Sequence, residues 1–172
     1  MSRAEPADAR RAVAASVDPA TTATFSIDVA VPVERAFQVF TQGIDRWWPR
    51  THHIGEVEMA VAILEPRPGG RWYEVGVDGS TCDWGVVLAW DPPHHLAVSW
   101  QLDGEFRYRA GASSASRVDV RFEATPDGGT HVTLIHSGLD AHGETWQLLR
   151  ERIGRGWPTL LGLFGQASLS VS

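Results

Sequence analysis

The sequence predicts a single α+β domain in which an antiparallel β-sheet curves around a long C-terminal helix, with an apolar cleft between them. Three observations carry this expectation. Seven stretches alternate apolar and polar residues with a period of two. Turn-forming clusters separate most of them. Only the last segment, from Trp146 to Phe164, keeps apolar residues at spacings of three and four for long enough to be a principal helix.

The elements follow in order. Residues 1–22 are rich in Ala, Arg, Pro and Asp without a sustained period, and read as a disordered tail ahead of a domain spanning 23–170. Phe25, Ile27, Val29 and Val31 alternate along a first strand. Pro32 suits the first turn of a helix, where its missing N–H costs nothing. Val33, Ala36, Phe37 and Phe40 then share one helical face, and Ile44 to Trp48 allows one further turn. Strands are expected at Val57–Leu64, Arg71–Val77, Thr81–Trp90, Leu96–Leu102, around Val118–Phe122 and at Val132–Leu134. Asp78-Gly79 is the dipeptide preferred in a two-residue type I′ hairpin turn. The Gly/Ser-rich stretch Asp103–Ala115 is long for a hairpin loop, hence functional or disordered. Gly154, Gly156 and Pro158 predict a kink or split in the final helix.

Bulk composition excludes several function classes. With 43% hydrophobic and 21% charged residues over 172 positions, one ordinary core needs no staples. The net charge of −6 argues against nucleic acid. The fifteen basic residues are all arginine. Cys82 is the only cysteine, so neither an internal disulfide nor a cysteine zinc site can form, and a reducing cytoplasm is the expected location. No apolar run approaches the ~20 residues of a membrane span. Arg10-Arg11 lacks the apolar stretch that an export signal needs after it.

Several residues could carry chemistry. Eight tryptophans offer apolar area with one N–H each, suited to cores and pockets alike. The adjacent Trp47 and Trp48, near the helix-to-strand entry, are the first pocket candidates. A two-residue Asp78-Gly79 loop would set Trp72 opposite Gly85 and Glu74 opposite Asp83. Like charges directly opposite destabilise a sheet. The pair would be screened by water, bridged by an arginine such as Arg71 or Arg109, or share a proton inside a cavity. The face carrying Tyr73, Val75, Cys82 and Trp84 is the more apolar and is expected to face the core. Glu74, Asp83 and His136 are the candidate catalytic groups, though no reaction is assigned. His52-His53 and His94-His95 are adjacent, so neither pair suits one metal, and His53, His136 and His142 would converge only through the fold. No metal and no cofactor is expected. Phe106-Arg107-Tyr108 could close over a ligand, Arg107 meeting an anionic group.

A set of short blocks resembles a known family. Trp47-Trp48-Pro49, His53-Ile54-Gly55, Leu64-Glu65-Pro66-Arg67, Gly69 to Glu74, Trp84 to Pro93, Trp100, Phe106-Arg107-Tyr108, His142-Gly143 and Gly156-Trp157 are similar to the START-like (SRPBCC) superfamily. Within it they resemble the branch related to the activator of the heat-shock-chaperone ATPase. The resemblance runs from about Ala23 to the C-terminus. It implies a helix-grip fold, whose sheet and long helix enclose a pocket for a hydrophobic or amphipathic molecule. It implies no fixed chemistry. Arg117 departs from the pattern, since relatives often carry an acid there. The expected ligand-binding residues are Trp47, Trp48, His53, Trp72, Tyr73, Trp84, Trp100, Arg107, Tyr108, Trp146 and Trp157. Binding of a small molecule ranks ahead of a cyclase- or hydrolase-type enzyme. A chaperone partner ranks last, and a homodimer is left open.

Overall fold

The computed structural model describes residues 18–170. The tail expected over 1–22 lies mostly outside the described residues. Its last part forms a 3-10 turn, Pro19–Thr21, in which Asp18 accepts the Ala20 N–H at 2.9 Å. Arg150 from the last helix donates to the carbonyls of Pro19 and Ala20.

The strands are β1 (Ala23–Val29), β2 (Met59–Leu64), β3 (Arg71–Gly76), β4 (Thr81–Asp91), β5 (His95–Trp100), β6 (Ser116–Ala124) and β7 (Thr130–Ser137). They form one antiparallel sheet in the order β1-β7-β6-β5-β4-β3-β2. Two short helices, α1 (Val33–Phe40) and α2 (Ile44–Trp47), connect β1 to the opposite edge, and α3 (Trp146–Leu169) follows β7. This is the expected helix-grip arrangement. Alternation explains the strands: β7 reads intermediate, buried in strict turn once Thr130 is passed, and Val132, Leu134 and His136 point into the core. Phe37, Phe40, Phe122 and Phe164 meet edge to face between α1, β6 and α3, at centroid separations of 5.1–5.7 Å.

Two local expectations are corrected. The last helix does not split near Gly154–Pro158; α3 runs through that stretch. Pro158 is on the exposed side, and the carbonyl it leaves without a donor belongs to the exposed Gly154, where water can serve it. The break falls earlier, at Gly143 (φ 64, ψ −140), inside the 3-10 stretch Leu139–Thr145 that leads into α3.

The β3–β4 turn also differs. Gly76 N–H donates to Ser80 C=O at 2.7 Å, leaving three residues, Val77–Gly79, in the loop. Only Gly79 has positive φ, whereas a type I′ turn needs it at both central positions. The extra loop residue shifts the register by one, so Glu74 pairs with Cys82 and Tyr73 with Asp83. A bulge at Trp84 restores the Trp72–Gly85 pairing. Glu74 and Asp83 therefore never face each other. Trp72 and Glu74 point into the core, at 4% and 2% exposure, and Tyr73 and Val75 point outward, the reverse of the expected faces. Asp83 is bridged by Arg71 on the outer face at 2.7 Å, where the Arg71 guanidinium also covers the Tyr73 ring.

At the bulge, β4 and β5 approach so closely that a Cβ on Gly85 would lie 1.9 Å from the Ser99 carbonyl oxygen. Backbone cannot retreat cheaply on either side. A Gly85→Ala substitution is expected to lower unfolding free energy by about 2–4 kcal/mol in urea titrations. A change under about 0.5 kcal/mol would mean the two strands are free to separate there.

Candidate functional site

Between α3 and the strands β4 and β5 lies a cleft of about 530 Å³. Its inner wall is indole: Trp48 after α2, Trp84 on β4, Trp100 on β5 and Trp157 on α3. All four are at most 5% exposed. They pack edge to face, Trp48 against Trp84 at 5.2 Å and Trp100 against Trp157 at 5.7 Å between centroids. Ile153 and Leu160 of α3 complete the apolar part. Thr51, His52, His53 and Ile54 form one side of the mouth, and Phe106, Arg152 and Arg155 the other.

Buried polar bonds hold the wall in place. Glu74 accepts Trp84 Nε1–H at 2.9 Å and Ile54 N–H at 2.6 Å on one carboxylate oxygen, and Gly55 N–H at 3.4 Å on the other. All are N–H donors, the set a carboxylate takes. One side chain thus joins the β3–β4 hairpin to the loop that borders the cleft. Trp48 donates to the His52 carbonyl at 2.9 Å, and His53 Nδ1 lies 3.0 Å from the Gly55 carbonyl.

A second set of bonds anchors α3. Trp157 Nε1–H donates to His136 Nδ1 at 3.2 Å, which assigns the His136 proton to Nε2. That proton goes to Ser116 Oγ at 2.7 Å. Ser116 N–H donates to His142 Nε2 at 3.2 Å, making it an acceptor, so the serine hydroxyl also donates there at 2.7 Å. Among the described residues the remaining His142 Nδ1–H has no partner, and neither has Trp100 Nε1–H. Burial is complete at His136 and pushes its pKa down to about 3, with His142 adding to the effect. Burial also lowers the His142 and His52 pKa values.

The loop from Asp103 to Arg109 is ordered around the buried Asp103 carboxylate. One of its oxygens accepts the N–H groups of Glu105 at 2.9 Å and Arg107 at 3.0 Å, and the other accepts Arg109 Nε–H at 3.1 Å. Phe106 takes φ 60 at its tip, a costly conformation for an aromatic residue, and its ring reaches the cleft mouth.

Of the residues expected to bind ligand, Trp48, His53, Trp84, Trp100 and Trp157 line the cleft. Trp47 and Trp72 line a small adjoining void of about 20 Å³. Tyr73 is on the outer face of the sheet, Trp146 packs against the core from outside it, and Tyr108 is exposed. Arg107 pairs with Glu105 and Asp103 rather than reaching the cleft. His136 and His142 converge on Ser116, but His53 does not join them. Among the catalytic candidates, Asp83 is on the far face of the sheet, and the lone pairs of Glu74 and His136 are engaged by protein donors. Sequence reasoning passed over Arg152, Arg155, Gly156 and Thr159. Their spacing of i, i+3, i+4, i+7 marks a helical stripe beside the buried Ile153, Trp157 and Leu160, and that stripe was the available signal.

The depressed His136 pKa fixes a pH dependence. An unfolded histidine takes up a proton near pH 6.5, whereas the folded chain refuses it until about pH 3. Stability is therefore complete above pH 6.5 and falls as the pH drops toward 3. Urea titrations at pH 7.5 and 5.0 should differ by about 2 kcal/mol from this residue, with His142 acting in the same sense. Equal stabilities would mean that His136 is not held neutral.

A family model described as Activator of Hsp90 ATPase homolog 1-like protein matches residues 30–166. Among solved structures, the anthrahydroquino-γ-pyrone synthase Txn09 is 36% identical, with a TM-score of 0.62, covering 86% of this chain and 96% of that one. CalC, a self-sacrificing resistance protein from Micromonospora echinospora, is 25% identical with a TM-score of 0.62, covering 86% and 94%. Ms6760 from Mycobacterium smegmatis, at 24% identity and TM-score 0.60 over 90% and 94%, shares the fold. No curated protein matches the sequence. By its sheet, its C-terminal helix and the span of the family match, the chain belongs to the Activator of Hsp90 ATPase homolog 1-like family of the START-like (SRPBCC) superfamily.

Proposed function

We propose that this protein binds a hydrophobic or amphipathic small molecule in the cleft between the sheet and α3, as a carrier or sensor. The carrying observation is the cleft itself, about 530 Å³ with four indoles in its wall. That volume falls in the ~300–1,000 Å³ range of small-molecule sites, which are mostly apolar with few polar groups. The indoles of Trp48, Trp84 and Trp157 donate to protein acceptors, so the wall is rigid before any ligand arrives. A preformed site loses less conformational freedom on binding. The family's description refers to a chaperone ATPase, but a concave aromatic cleft suits a small molecule better than a protein surface.

A second reading, an enzyme acting on the same molecule, is favoured by the 36% identity with the synthase Txn09. In that case His53 is the group available. Its Nδ1 donates to the Gly55 carbonyl, which leaves Nε2 as a proton acceptor at the cleft.

Gly156 gives a clean test, because it lines the cleft and a Cβ there meets nothing within 4 Å. A Gly156→Phe substitution fills the site while relieving a helix of its glycine. Titration with polycyclic aromatic ketones and fatty acids should quench tryptophan fluorescence saturably in the wild type. Affinity should fall at least about tenfold in Gly156→Phe, the loss of roughly one well-packed contact region. Unsaturable quenching, or equal affinity in the two proteins, would contradict the binding reading. Chromatography of the same mixtures tests the second reading: product formation that His53→Gln abolishes without weakening binding supports an enzyme.

A further inference from the structure

The molecule carries a net charge of −6, yet among the described residues no aspartate or glutamate lines its cleft. The ionisable side chains that reach it are Arg152, Arg155, His52 and His53. Burial keeps His52 toward its neutral form, so arginine dominates the charge of the mouth near pH 7. Arg155 is partly compensated, its Nη2 lying 3.0 Å from Glu151 Oε1 one turn away. Arg152 is different. Among the described residues it has no carboxylate within ion-pairing distance. It is nonetheless held in position, one Nη1–H donating to the Gly104 carbonyl at 2.8 Å. Its guanidinium carbon lies 5.2 Å from the centre of the Phe106 ring.

This arrangement is built. Gly104 is pinned to the start of α3, its N–H donating to Thr145 Oγ1 at 2.9 Å, and a Cβ there would meet the Thr145 carbonyl at 2.2 Å. Asp103 shapes the same loop from within and pairs with Arg107 and Arg109, the two arginines of that loop. Those two are taken up by the scaffold, and Arg152 is left with N–H donors at a cleft where no described lining residue is a carboxylate. A guanidinium offers five N–H donors in a fixed fork that matches a carboxylate.

We propose that the molecule taken by the cleft is an organic anion: an apolar, ring-bearing body against the four indoles, with a carboxylate or similar oxyanion at Arg152. This rests on the small-molecule reading above and goes further by fixing the ligand's charge and its direction, oxyanion outward and rings inward.

Anthracene-2-carboxylate and anthracene-2-carboxamide are nearly the same shape and differ by one charge, which makes them suitable probes. Tryptophan quenching by each is measured at 20 and 300 mM NaCl for the wild type, Arg152→Gln, and Arg67→Gln. The last removes the same charge from an exposed turn residue that does not line the cleft. The carboxylate should bind the wild type about tenfold tighter than the amide at low salt, as a charge-assisted contact implies. That advantage should shrink at high salt and nearly vanish in Arg152→Gln, while Arg67→Gln keeps it. Equal affinity for the two probes, or an advantage that Arg152→Gln leaves intact, overturns the anion assignment while leaving the cleft a binding site. Failure of both probes to bind, together with no difference between the wild type and Gly156→Phe for any compound, overturns the binding reading and this inference with it.

Discussion

One buried carboxylate holds the site together. Glu74 sits at 2% exposure among tryptophans, and an unpartnered charge there would be too costly to keep. Its three N–H donors come from two separate parts of the chain, the Trp84 indole on the sheet and the Ile54–Gly55 backbone beyond α2. The loop at the cleft mouth therefore cannot drift away from the sheet without stranding the charge. The approach is close at Gly55, where a Cβ would lie 3.3 Å from Glu74 Oε2 and 3.4 Å from Cys82 Sγ. Trp84 lies two residues after Cys82, the partner of Glu74, and so shares its inward face, and the bulge at Trp84 lets Gly85 pair with Trp72 directly afterwards.

The opposite wall is fixed by neutral groups instead. The run from Trp157 through His136 and Ser116 to His142 assigns each proton in turn, and every member but the last is satisfied. It orients the Trp157 indole and locks α3 against β6 and β7. Closure along the rest of α3 depends on small residues: a Cβ on Gly165 would meet Ile27 Cδ1 at 2.9 Å. With both walls held by hydrogen bonds as well as by the Trp100–Trp157 contact, the space beside that contact can stay open. That explains how a chain with so many tryptophans keeps a cleft of about 530 Å³ instead of collapsing onto itself.

The fold was legible because its signals are local. Period-two stretches and one long three-four stretch located all seven strands and α3, and the short blocks around Gly69-Gly70-Arg71-Trp72 and Trp84-Gly85 carried the family. Face and register were not legible at β3–β4. Asp78-Gly79 fits both a two-residue and a three-residue loop, and the choice reverses which of Tyr73 and Glu74 faces inward. A buried glutamate is a poor guess from pattern alone, since its partners lie ten and twenty residues away. Five of the expected ligand residues line the cleft: Trp48 and His53 after α2, Trp84 and Trp100 on neighbouring strands, and Trp157 on the facing helix. Arg107 was the natural cation to single out inside a flexible-looking loop. Nothing in its neighbourhood revealed that Asp103 would claim it and leave Arg152, on a different element, at the mouth.

The central claim is that the indole-walled cleft is where a small molecule binds. It is tested most directly by recording indole N–H resonances of ¹⁵N-labelled protein while anthracene-2-carboxylate is added. The account predicts saturable shifts for Trp48, Trp84, Trp100 and Trp157, the largest at Trp100, whose N–H has no partner among the described residues. Trp90, which packs against Phe37 at 5.1 Å away from the cleft, should stay in place. Shifts confined to Trp90 and Trp146, or none at all at saturating probe, would contradict it.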